Sequence, residues 1–153
     1  MTGSRRAFAA TAGLAACLVL LTACSSTHGV TLPGPDRRTP IRLSAQEREQ
    51  LRRGMRIFLE SVEGITDGLH NNSMAEVARS AERGGMGMLE DISFSDALKL
   101  PPEFTILSID THQKFDALSR AAAEGASKAS VLEQLSRLLA NCTACHTTYR
   151  LVP

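Results

Sequence analysis

From Ser44 onward the apolar residues recur at steps of three and four, the spacing of helices that bury one face. The first such segment runs from about Ala45 to His70, with Leu51, Met55, Phe58, Val62, Ile65 and Leu69 as its seam. A second and shorter one spans Met74 to about Arg83 and stops at Gly84-Gly85. An irregular stretch with Met86, Met88, Phe94 and Pro101 follows. The third opens at Pro102 or Glu103, where a missing N–H costs nothing. It carries Phe104, Leu107, Thr111, Phe115, Leu118 and Ala122 on one face and ends at Gly125. The fourth runs from Val131 to about Arg150, with Leu135, Leu138, Leu139 and Cys142 on one side. No segment alternates as a strand would, and no internal repeat is seen. The predicted fold is all-α: an antiparallel four-helix bundle with cofactor sites built from inward side chains.

Three start signals share one chemistry. Ser44-Ala-Gln-Glu47, Ser73-Met-Ala-Glu76 and Ser130-Val-Leu-Glu133 each fit the capping box, in which a Ser hydroxyl and a Glu carboxylate satisfy exposed N–H groups reciprocally. Gly54, Gly64 and Gly68 weaken the first helix by about 1 kcal/mol each relative to Ala. They also allow something large to approach its backbone.

Ahead of the helices the pattern changes twice. Residues 25–43 are polar and broken by Pro33, Pro35 and Pro40, which predicts a tether with too little apolar surface to fold. Its coil-like reach is about 25 Å. Before it, Arg5 and Arg6 precede an apolar run from Ala7 to Leu21, short for a membrane span and typical of an export signal. The run ends in Leu21-Thr22-Ala23-Cys24, which resembles the lipobox of bacterial lipoproteins. The resemblance implies cleavage before Cys24, lipidation of that residue, and a place on the periplasmic side of a bacterial membrane. A plain secretory signal or a retained anchor are the other readings, and both also lead out of the cytoplasm. The expected organisation is a signal at 1–23, a tether at 24–43 and a helical domain at 44–153.

Removing the signal would leave 130 residues, with 15 basic against 16 acidic side chains. That near-neutral balance lacks the clustered basic face of a nucleic-acid binder, and with no Trp and one Tyr stacking platforms for bases are scarce. It predicts no strong electrostatic steering of a partner. No paired carboxylates or nucleophile–base pairs suggest an enzyme.

The cysteines change the picture. Cys142-Thr-Ala-Cys145-His146 matches the run to which c-type haem is attached. Each thiol adds to one vinyl group, and the next imidazole reaches the iron. On a helix Cys142 and His146 lie four apart and Cys145 three from Cys142, so a single turn presents both anchors and the proximal ligand. His146 would bind through Nε2, leaving Nδ1–H for another partner. A zinc site would need further ligands at recognisable spacing. A redox dithiol would be expected beside a βαβ pattern, which is missing.

The run Cys142-Thr-Ala-Cys145-His146-Thr-Thr-Tyr149-Arg150, near the end of a four-helix chain, resembles the class II c-type cytochromes. These comprise cytochrome c prime and its low-spin relatives of the cytochrome c-556 kind. The resemblance covers Ser44 to Arg150 in architecture and the last helix in residues. It implies one covalent haem c held by Cys142 and Cys145, His146 as an iron ligand, and Arg150 close to the proximal side. Tyr149 takes the place of a common aromatic and reads first as core packing. Family members often dimerise through their first two helices; for this short second helix the oligomeric state stays open.

The sixth iron position separates two functions. By the same resemblance, a Met from the first helix makes a low-spin electron carrier, and Met55 is the matching candidate. Leu51 stands one turn before it, where the family often has Arg. Met86 and Met88 in Gly-Gly-Met-Gly-Met are further candidates, and His112 would give a bis-His haem, although it falls beside the apolar stripe and reads as a surface side chain. His70 lies at a helix end and His28 in the tether. The leading expectation is electron transfer with unnamed redox partners. An apolar, open sixth position would instead bind nitric oxide or carbon monoxide.

Overall fold

The computed structural model describes residues 34–90 and 98–152. The signal segment, Cys24, His28 and Phe94 lie outside the described residues. The elements are β1 (Thr39–Arg42), α1 (Ala45–His70), α2 (Met74–Glu82), a 3-10 turn at Met86–Leu89, α3 (Pro102–Ala123), α4 (Lys128–Thr148) and β2 (Tyr149–Val152). The chain is thus mostly helical, as expected, with one small sheet that was not. No described helix is long and apolar enough to cross a membrane.

Caps explain where the helices begin. Ser44 accepts from the Glu47 N–H at 3.3 Å while Glu47 accepts from the Ser44 N–H at 2.7 Å, a complete capping box. The Lys99 ammonium and these Ser44 contacts hold the Glu47 carboxyl at a pKa of about 2. Ser73 accepts from the Glu76 N–H. The fourth helix departs from expectation: Ser127, not Ser130, is its cap and accepts from the Ser130 N–H at 3.2 Å. The helix therefore starts at Lys128 rather than Val131. Gly125, with φ of 83°, terminates α3 in a conformation that favours glycine.

All four helices feed one core. Ile65 and Leu69 of α1, Val77 and Ala81 of α2, Phe115, Leu118 and Ala122 of α3, and Val131, Leu135 and Leu138 of α4 are buried together. Two of the α1 glycines, Gly64 and Gly68, let α2 approach closely. A Cβ on Gly68 would meet the Val77 backbone nitrogen at 2.8 Å, and one on Gly64 would strike Ser80. Consecutive helices pack on each other, whereas α1 and α4 share no extended backbone contact.

The compact unit begins at Arg37, ahead of Ser44, because β1 is part of it. β1 lies parallel to β2, pairing Thr39 with Tyr149 through Arg42 with Val152. The expectation that no strand exists is corrected here, as is the end of the last helix, which stops at Thr148 instead of Arg150. Tyr149 is extended, with φ of −119° and ψ of 152°.

Candidate functional site

The apolar seam of α1 has two fates. Its second half fills the core. Its first half, Leu51 and Met55, is only half-buried, because α4 does not close over it. The space left is a cleft of about 260 Å³, lined by Leu51 and Met55 from α1, Arg38 and Ile41 from the N-terminal strap, Phe104 from α3, and residues 145, 146 and 149–151. Met55, Cys145, His146, Tyr149 and Arg150, all singled out from sequence, line this one cleft. Phe104 and Tyr149 meet edge to face with ring centroids 5.3 Å apart.

Cys142 sits elsewhere in the same turn. It is half-buried against the core, its Sγ 3.8 Å from the Leu138 carbonyl oxygen. Both cysteines are free thiols. Burial pushes both thiols up in pKa, and for Cys145 the neighbouring Cys142 adds to the effect. Thiol–disulfide catalysis relies on a depressed thiol pKa. This pair has the opposite environment.

The far wall is shaped by a strap that helical periodicity does not report. Arg38 donates to the carbonyl oxygens of His146 at 3.1 Å and Tyr149 at 3.5 Å. Arg150 donates through Nε to the Arg38 carbonyl at 3.3 Å. Arg48 donates to the carbonyls of Leu43 at 2.6 Å and Val152 at 3.4 Å. With Ile41 buried beneath it, β1 straps the end of α4 and fixes the backbone beside His146. The available signal was the alternation Ile41-Arg-Leu43 and Tyr149-Arg-Leu151, too short to stand out and interrupted by Pro40.

The other candidates lie apart. Met88 packs over Gly54, its Cε 3.7 Å from where a Cβ would stand, and Met86 is at the surface; neither lines the cleft. His112 is corrected from a surface to a buried residue. Its Nδ1 lies 2.8 Å from the Gly84 oxygen and 3.1 Å from that of Gly85, and its ring is 4.9 Å from the Phe58 ring. Burial lowers its pKa below the ordinary value of 6.5, against the opposing pull of those carbonyls and of Asp116.

Among the described residues no group of three or more His, Cys, Asp or Glu could hold a bare metal ion. The donor set instead suits a metal whose equatorial ligands come with the group, needing from protein only an imidazole and a thioether. The cleft is slightly below the 300–1,000 Å³ usual for bound small molecules, but it is open to solvent, so its size does not limit a group that extends beyond it. Its apolar lining and two guanidiniums also suit a ring with anionic substituents. Met55, Cys145 and His146 on this cleft are donors of the kind haem takes, whereas Cys142 lies outside its lining. No family model, curated protein or solved structure matches the chain.

Proposed function

We propose that this chain is an exported, lipid-anchored c-type cytochrome that carries one covalent haem and transfers electrons rather than catalysing a reaction. In this reading the helices form an antiparallel four-helix bundle of the class II kind. Cys24 bears the lipid and holds the domain on the periplasmic side of a bacterial membrane. The supporting observation is that Met55 meets Cys145 and His146, ninety residues further along the chain, on one apolar cleft.

Cys142 and Cys145 would hold the haem through thioethers. His146 from α4 and Met55 from α1 would hold its iron. When bound, haem supplies a one-electron iron couple, with a potential raised by thioether ligation. The chain's own residues set the conditions. Ile41, Leu51, Phe104 and Leu151 give the cleft apolar walls. Arg38 keeps the carbonyl of His146 occupied and the last turn in place. Arg150, which lines the cleft, adds a cation that suits an anionic substituent.

Optical spectra of protein from a host with cytochrome c maturation test the reading. Low-spin spectra, a weak far-red band from thioether ligation in the oxidised form, and no response to carbon monoxide are expected. A high-spin spectrum that shifts with carbon monoxide would move the function to gas binding, and colourless protein would overturn the cytochrome altogether.

A further inference from the structure

Charge is divided unevenly along the start of the compact unit. Residues 37–56 hold seven arginines and two glutamates, whereas residues 57–90 hold six acidic and two basic side chains. Of this stretch, Arg38 lines the cleft together with Ile41, Leu51 and Met55. Arg37, Arg38 and Arg42 lie in and beside β1, and Arg48, Arg52 and Arg56 recur every fourth residue on α1, forming one column next to Leu51 and Met55. All but Arg48 are exposed. Arg52 and Arg56 keep 55% and 57% of their side-chain surface in solvent although both pair with Glu49, at 3.8 and 2.9 Å. One carboxylate shared by two guanidiniums leaves a positive excess that no accessible pH removes.

The same end receives the N-terminal chain. Thirty-six residues precede Arg37, among them the apolar run Ala7–Leu21 and Cys24. From Cys24 to Arg37 the coil-like reach is roughly 20 Å. A lipid on Cys24 and a retained apolar anchor both bring the arginine-rich end, not the acidic one, to a bilayer first. That favours a lipid surface over an acidic protein as the occupant.

We propose that the arginine-rich end of the unit, Arg37 to Arg56, docks on anionic lipid headgroups. Clusters of this size are the usual electrostatic footprint of headgroup binding. Docking rests on the membrane-anchor part of the proposed function and not on haem; with haem bound, the electron partner would be membrane-bound.

The test uses the full chain anchored in vesicles of phosphatidylcholine, with or without phosphatidylglycerol. A fluorescent non-natural residue replaces Gln46 at the basic end or Asn71 at the other, and a quencher resides in the lipid. Quenching at position 46 should be several-fold greater with phosphatidylglycerol and be lost in high salt, whereas position 71 should not respond. Arg52→Glu with Arg56→Glu should abolish the difference; Arg79→Glu with Arg120→Glu should leave it. Equal quenching on both lipids, or an equal response at both positions, overturns the proposal and leaves this face to an acidic protein. Neither probe depends on haem, so failure here and failure of the cytochrome reading are separate results.

Discussion

At Met55 the α1 seam leaves the core and enters the cleft that His146 lines from the other side. Met55→Ala in haem-loaded protein should abolish the far-red band and open the iron to carbon monoxide, while Met86→Ala and Met88→Ala, outside the cleft, should change neither. Spectra of the three variants check this. His112 makes a different prediction. Its pKa is lowered by burial, so the unfolded chain binds a proton that the folded one resists. Stability from this group is present above about pH 6.5 and is lost as pH falls toward the folded value. Thermal midpoints measured from pH 7.5 to 5 should fall, and His112→Asn should flatten that slope. A fall continuing below pH 4.5 in both proteins is assigned to Glu47, Glu49 and Asp110, whose carboxylates must give up Lys99 and the Ser44 cap, Arg56, and Lys114 with Asn141 on protonation.

Among the elements, the strap is the feature whose loss is most local. Ile41 is 2% exposed beneath β1. Ile41→Ala should cost about 2–3 kcal/mol, the lower part of the range for such truncations, since its side chain borders an open cleft. Hydrogen exchange of the β2 amides should accelerate more than that of the α4 interior. Where α1 crosses α2 the constraint is steric. Gly68→Ala places a Cβ against backbone, which cannot rotate away, and should destabilise by about 1–3 kcal/mol in denaturant titration. These elements also mark how far the sequence could be read. The long amphipathic helices were legible to within a few residues, because periodicity agrees with the Ser caps on α1 and α2 and with Pro102 in the first turn of α3. The fourth start was misplaced because Ser127 and Ser130 both fit a cap and only the turn after Gly125 decides between them. β1 and β2 were illegible, each four residues long and paired across the whole chain. His112 was misread because Gly84 and Gly85 come close enough to bury it, a contact no periodicity encodes.

For the whole molecule, a nearly balanced net charge conceals a separation along its first helix, with the basic end at the cleft and the acidic stretch beyond it. One core ties all four helices together, and the cleft exists where the first and last of them part. Of the candidate site, Cys145 and His146 could be picked from their spacing, and Met55 and Arg150 only through the family resemblance; Arg38 and Ile41 could not be picked, since a strap has no chemistry of its own. The central claim is a covalent one, made by Cys142 and Cys145 in the turn that ends with His146. Mass spectrometry of the peptide containing that turn, from protein made in a maturation-competent host, is its most direct measurement. The account predicts the peptide heavier by one haem, with no alkylatable thiol; an unmodified peptide with both thiols free would contradict it.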